Sequence, residues 1–383
     1  MLRIVHLNSM LKGGGTDDQC IKAATGLLRF GHQVSIAGPA DRECSQAVRS
    51  AGVPLHPTPP EGLAKISLIL NVANKIRREK IEILHAHHGR DYWPAILAGR
   101  LSGLSPVIVL TRHMAKSPSS WPSRRFLLSQ CQAMVAVSRF VATVLSQGVF
   151  EPGSPIIERR SRPPIRGDHS KIHVAYGAID TDSFRPRPDD GLRQEWGLAP
   201  EHFAFGMVGG FDLPHGKGQR EFLQAAARMH KQAPHARFLI IGRGNMESIL
   251  REDIQKFGLT GKAMLTGQCL DMPRGMNALD CLVHAQIATE AFGLVLCEAF
   301  ACGKPVIASR LDGIPEAFAL GNYGQLVEPG AIEELSSAML SQALQKTAAS
   351  VKSADLHQRI ADQCSIEAAA RKIFDVYNRL QSH

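Results

Sequence analysis

The chain has 383 residues, 44% of them apolar, 6% aromatic and 21% charged, and a formal net charge of +9. That is the composition of a folded globular chain long enough for two hydrophobic cores, and it excludes a disordered or fibrous polypeptide. The excess of lysine and arginine suits nucleic acid, anionic lipid or phosphorylated small molecules, but few aromatics and no base-stacking motif or recognition-helix signature argue against nucleic acid.

The first residues, "MLRIVHLNSMLKGGG", carry no long apolar core and no small-residue cleavage site, so a signal peptide is not expected. No run of about 18 apolar residues predicts a spanning helix. Short β-branched runs then alternate with amphipathic stretches. Strands are predicted at 2–8, 32–39, 81–88, 106–113, 133–138 and 171–176, with helical patterns such as 18–30 and 121–131 between them. The segment 179–191, rich in proline and charge, reads as a linker. A second set of strands follows at 203–210, 236–244, 263–267, 280–285 and 304–309, and 365–383 reads as one amphipathic helix. Such alternation predicts an α/β chain of two doubly wound, parallel-sheet, Rossmann-like domains facing a central cleft.

The eight cysteines show no C-x-x-C spacing, and most lie in apolar segments. They read as reduced, small hydrophobes of a cytoplasmic protein rather than as a zinc framework. His85 and His87 share a strand face without an evident third ligand, so no metal is expected; His113, at a strand end, is expected to hydrogen-bond a ligand. Between 158 and 171, Arg159, Arg160, Arg162 and Arg166 surround a Pro-Pro pair. This is either a solvated loop or a contact for anionic lipid headgroups or acceptor phosphates.

The stretch "ATEAFGLVLCEAFACGKPVIAS" (288–309) places Glu290 and Glu298 eight positions apart in an apolar segment. Gly293 is expected to open a helix, leaving the amides of Phe292, Gly293 and Leu294 as first-turn donors at the positive end of the dipole, a site for phosphate. At ~1.5 Å per residue the two glutamates are roughly 12 Å apart, the span from a sugar across a diphosphate to a ribose. Both are good acceptors for diol hydroxyls. Lys217, on the turn in "GGFDLPHGKGQREF", is a second anion element, and the triple glycine with Gly14 and Gly15 before the first helix is a third. The bland alternative makes Glu290 a helix-start charge and Glu298 a buried ion-pair partner.

Taken together, these residues resemble the family 4 glycosyltransferases of GT-B architecture, whose E-x7-E signature is similar to "EAFGLVLCEAFACGKPVIAS". The order of "GGTDDQCIKAATGLLRFGHQV", "MVAVSRF", "YGAIDTDSFRP" and "LTGQCLDMPRGMNALDCLVHA" extends the likeness over nearly the whole chain. The resemblance implies retaining transfer of a sugar from a nucleotide diphospho-sugar to a glycan or lipid-linked acceptor, with no metal and no other cofactor. It implies an acceptor-side domain over 1–183, a nucleotide-sugar domain over 184–362, and a C-terminal helix, 363–383, returning to the first. By it, Glu290 would bind sugar hydroxyls, Glu298 the ribose, Phe292–Leu294 sugar and phosphate, Lys217 the diphosphate, and His113 the sugar's 6-hydroxyl. Gly14 and Gly15 would lie near donor phosphate and acceptor. Two departures stand out: Gly210 lies where the family often places an arginine, with Arg243 as a candidate substitute, and "YGAID" lacks an asparagine common there. The rival readings are a nucleotide-sugar epimerase of similar fold and a non-catalytic nucleotide-sugar-binding subunit. Cell-envelope polysaccharide or lipopolysaccharide synthesis, with peripheral attachment to the inner membrane through the four arginines, is the expected setting.

Overall fold

A computed structural model describes residues 1–59, 65–148, 163–344 and 353–381. The chain divides into two compact units, the first ending at Ala178 and reclaiming the chain from Cys364, the second beginning at Ile179.

The first unit is built on a seven-stranded parallel sheet, ordered β3-β2-β1-β4-β5-β6-β7. Its strands are β1 (Arg3–Leu7), β2 (Gln33–Gly38), β3 (Leu55–Pro57), β4 (Ile83–Ala86), β5 (Val107–Arg112), β6 (Ala133–Ala136) and β7 (Ile172–Val174). The second unit carries a six-stranded parallel sheet, ordered β10-β9-β8-β11-β12-β13. Its strands are β8 (Phe203–Val208), β9 (Ala236–Ile241), β10 (Ala263–Gly267), β11 (Cys281–His284), β12 (Val306–Ser309) and β13 (Gly324–Val327). Every strand pair is parallel, as alternation of strand and helix requires.

Eleven of these strands fall on runs read as strands from the sequence, and the remaining two, β3 and β13, do not. Both are sheet edges, three and four residues long and only partly buried. Edge strands are recruited by the neighbour they pair with and need no apolar run of their own.

The inner strands are buried on both faces, so they read as continuous apolar runs. In the second unit Phe205 and Phe238, on adjacent strands, stack at 5.9 Å between centroids, and Phe222 meets Phe238 edge-on. All three are fully buried, and burying each contributes about 1.5–3 kcal/mol. In the first unit the helix Gly15–Arg29 packs on the helix Ile366–Gln381. A side chain at Gly26 would come within 2.5 Å of the Ala370 methyl group, so glycine sets how closely these helices approach.

The segment 179–191 contains no helix and is fastened to the second unit. Asn277 Nδ2 donates to the Arg185 carbonyl, and the Arg187 amide donates to Asn277 Oδ1. Of the four arginines from 159 to 166, only Arg166 lies within the described residues; it is exposed.

Candidate active site

In open α/β sheets ligands gather outside the carboxyl ends of the strands. In the second unit, four such loops meet there. The loop after β8 carries Lys217 and enters the helix Gln219–Met229 through Gly218. At Gly218 φ is +95°, and a Cβ would stand 1.8 Å from the carbonyl oxygen of Ala285. Only glycine lets the Lys217 loop lie against the loop after β11. That second loop carries Glu290. Its amide donates to Asp312 Oδ2 in the loop after β12, as does the Thr289 hydroxyl, and the Gly313 amide donates to the Glu290 carbonyl.

Lys217 Nζ donates to Glu290 Oε2 at 2.8 Å, the two side chains being 37% and 17% exposed. His284 Nε2 stands 3.6 Å from the same oxygen, too far for a good hydrogen bond. Among the described residues, neither ring nitrogen of this buried histidine has a hydrogen-bond partner. Burial by itself raises the Glu290 pKa, but His284 and the Lys217 charge outweigh it and hold the carboxyl well below the usual range. Glu290 is therefore an ionised acceptor with one oxygen against a cation.

Gly293, at φ +99°, opens the helix Leu294–Ala301, and no side chain caps that end. First-turn amides of a helix have no partner within it, so this end presents donors and the positive pole of the dipole. The helix is not sealed on all sides, as its composition suggests. Leu296, Cys297, Ala299, Phe300 and Ala301 are buried, while Leu294, Val295 and Glu298 remain partly accessible. Residues three and four apart lie on one side of a helix. Glu298 therefore faces outward from an apolar strip rather than into the core.

The Phe211 amide donates to the Arg243 carbonyl, which brings the loop after β9 against Gly210. Asn245 and Asp212 stitch the same two loops together, and the Arg243 side chain is exposed. The backbone geometry thus places Arg243 beside Gly210.

In the first unit, Gly14, at φ +107°, precedes the helix Gly15–Arg29, and both glycines are exposed with open space around them. The loop is held by Asp17, a residue not foreseen in this role. Buried at 2% exposure, its carboxylate accepts from Asn8 Nδ2, the Gly13 amide and His88 Nε2. Burial raises the Asp17 pKa, and these hydrogen bonds more than reverse it.

His113 is half-buried just past β5, where its Nε2 meets His87 Nδ1 at 3.2 Å. His87 Nε2 in turn meets His6 Nδ1 at 2.7 Å. His85 contacts the Tyr377 hydroxyl and Thr111 Oγ1 through its two nitrogens. Burial drives His6 down to about 3 and pushes His85, His87 and His113 below the ordinary histidine value. A ring nitrogen of His6, one of His87 and Cys20 Sγ lie within 4.8 Å of one another. The direct hydrogen bond between the two imidazoles makes this a polar pair beside a thiol. This cluster was not legible in any one segment, because it converges from β1, β4 and the first helix. His87, His113 and Gln19 also line a small cavity with room for about one water, ~20 Å³.

Comparison with known proteins bears on both units. Residues 13–156 match the profile described as Glycosyltransferase Family 4, and residues 202–344 match Glycosyl transferases group 1. The chain is 26% identical over 312 residues to N-acetyl-alpha-D-glucosaminyl L-malate synthase of Bacillus anthracis, covering 80% of this chain and 74% of that protein. It is 24% identical over 352 residues to the lipopolysaccharide core biosynthesis mannosyltransferase LpsB of Rhizobium meliloti, covering 89% and 91%. Among solved structures it resembles Anabaena Alr3699/HepE in complex with UDP-glucose, with a TM-score of 0.78, 21% identity and full coverage of both chains.

Proposed function

The chain belongs to the family 4 glycosyltransferases, with two Rossmann-like domains of the GT-B class, and we propose that it moves a hexose from a nucleotide diphospho-sugar to a glycan or lipid-linked glycan, retaining the anomeric configuration and needing no metal. The observation that carries this reading is the Lys217–Glu290 pair, 2.8 Å apart, beside the uncapped start of the helix Leu294–Ala301.

Lys217 and the first-turn amides around Phe292, Gly293 and Leu294 supply positive charge and donors for the diphosphate. Glu290, already ionised, accepts hydroxyls of the transferred sugar, and Glu298 on the open face accepts those of the ribose. Arg243 adds a cation beside Gly210. In the reaction the C1–O bond to the β-phosphate breaks as the acceptor oxygen bonds to C1, and the acceptor's proton passes to the departing diphosphate. Fixed donors facing that leaving group are most effective as its charge develops. In the first unit, His113 serves a sugar hydroxyl, and the exposed Gly14–Gly15 turn admits phosphate or acceptor.

Membrane attachment is part of the proposal. No helix among the described residues is long and apolar enough to cross a bilayer. Arg166, with its amide bonded to the Arg124 carbonyl, adjoins the helix Trp121–Gln130, on which Trp121 and Phe126 are 63% and 39% exposed. Those rings meet edge-on and Arg125 lies over Phe126. Aromatic tips beside arginines suit an interface with anionic lipid, here the inner leaflet facing the cytoplasm.

The test is transfer in EDTA, with a labelled nucleotide sugar and an envelope-glycan extract, reading the product's anomeric configuration by NMR. Retention without added metal supports the proposal; an inverted product, or dependence on magnesium or manganese, defeats it.

A further inference from the structure

Three imidazoles of the first unit form one hydrogen-bonded file running from the core to the end of the sheet. In β1, His6 stands opposite His85 of β4, and His87, two residues on, lies on the same face. His6 Nδ1 meets His87 Nε2 at 2.7 Å, and His87 Nδ1 meets His113 Nε2 at 3.2 Å. His6 and His87 are 0% and 3% exposed. A neutral imidazole has one N–H and one lone pair, so the file can be polarised in only two ways. If it runs outward, His6 donates to His87, His87 donates to His113, and His113 carries its remaining hydrogen on Nδ1. If it runs inward, each bond reverses and His113 shows a bare Nδ1.

The inner end decides between them. His6 Nε2 is buried and has no hydrogen-bond partner among the described residues. The inward polarity would leave there an orphaned N–H, the rarer and costlier defect; the outward polarity leaves only a lone pair. Cys20 Sγ lies within 4.8 Å of the pair, and burial keeps that thiol protonated despite a hydrogen bond from Asn8. All three rings are neutral at pH 7, because burial lowers each pKa.

We propose that His87, backed by His6, is a positioning residue that holds His113 as the Nδ1–H tautomer, so that His113 presents a fixed, uncharged donor to an oxygen of the bound sugar. This rests on the reading of His113 as a sugar-facing side chain. The outward nitrogen has no hydrogen-bond partner within the described protein, so its hydrogen is available to a ligand. A ring locked from behind loses little freedom on binding, which is the benefit of preorganisation.

The experiment uses the full chain labelled with 15N-histidine, together with His87→Asn and His87→Gln. An asparagine amide imitates the Nδ1 side of histidine and a glutamine amide the Nε2 side. The Asn variant thus keeps a partner for His113, and the Gln variant removes it. Two-bond 15N–1H spectra of the wild type should show His113 protonated on Nδ1. That tautomer should persist in the Asn variant and give way to a mixture in the Gln variant. With UDP-glucose as donor, kcat/KM should fall roughly three- to tenfold in the Gln variant, the loss of about one neutral hydrogen bond, and stay within about twofold in the Asn variant. An Nε2–H tautomer at His113 in the wild type overturns the proposal, as does an equal loss in both variants. The expected tautomers with unchanged transfer in both variants overturn the assigned role of His113 while leaving glycosyl transfer intact. Absence of transfer in the wild type from UDP-, GDP- and ADP-glucose alike defeats the enzymatic reading instead.

Discussion

Lowering the pH from 7.5 to 5.0 should loosen the first unit selectively, because its core holds histidines that cannot charge while folded. The unfolded pKa of histidine is about 6.5, and burial places the folded value of His6 at about 3. The folded value lies below the unfolded one, so unfolding takes up protons as pH falls. Stability from this group is full above about pH 6.5 and is lost as pH falls toward 3. At pH 5, His6 alone removes about 2 kcal/mol, 1.5 pH units at about 1.36 kcal/mol each. His85 and His87, also shifted well down by burial, act in the same direction. Burial lowers His113 as well, the neighbouring His88 and Arg112 depress it further, and Asp17 opposes them only in part. Domain stabilities are about 5–15 kcal/mol, so the loss is a large share of the whole. Hydrogen exchange read by mass spectrometry, corrected for intrinsic chemistry, gives opening free energies strand by strand. Strands β1 and β4 should lose protection between pH 7.5 and 5.0 by at least 2 kcal/mol more than β8 and β9. His6→Asn, which keeps a partner for His87 Nε2 but cannot titrate, should flatten that dependence by about one proton. Equal pH dependence in the two sheets would refute the reasoning.

The other predictions concern the second unit and the surface. Glu298→Gln should fold normally, since the side chain is only half-buried, yet weaken nucleotide binding by about tenfold, consistent with loss of a charged hydrogen bond; isothermal titration at unchanged melting temperature checks this. Gly218→Ala forces a Cβ to 1.8 Å from the Ala285 oxygen and should displace the Lys217 loop. Its melting temperature and its UDP affinity should fall together, and native values for both would contradict the contact. Replacing Arg124, Arg125 and Arg166 by serine should weaken sedimentation with anionic vesicles at low salt while sparing nucleotide affinity, with each basic residue worth about 1 kcal/mol at the surface. Equal recovery of variant and wild type would remove the membrane contact.

Much of the fold was legible because inner strands of parallel sheets announce themselves as apolar, β-branched runs between helical patterns. Strands β3, among prolines 54, 57 and 59, and β13, "GQLV", were not, since pairing rather than composition makes them strands. At the candidate site, Gly293, Glu290 and Lys217 were readable because each breaks its local pattern: a glycine before a helix, a carboxylate in an apolar run, a lysine on a glycine turn. The meeting of Lys217 and Glu290 at 2.8 Å depends on Gly218 and on the loop after β12. The sequence shows those glycines but not what they approach. His284, Asp312 and the His6–His87–His113 file were hidden for a related reason. Which residues of neighbouring strands face one another is decided by register, and register is a property of pairs of strands rather than of one. Glu298 is a half-step between: the helix was foreseen, but not which of its sides stays open.

The central claim is that the second unit holds a nucleotide diphospho-sugar through Lys217 and the start of the helix Leu294–Ala301. Thermal unfolding in EDTA, with UDP-, GDP- and ADP-glucose offered separately to the wild type and to Lys217→Ala, tests it most directly. A ligand at about 100 times its Kd stabilises the folded form by about 2.7 kcal/mol. At least one of the three should raise the wild-type melting temperature by several degrees, and the same ligand should raise that of the variant far less. No shift with any nucleotide sugar at millimolar concentration, or an equal shift in wild type and variant, would contradict the account.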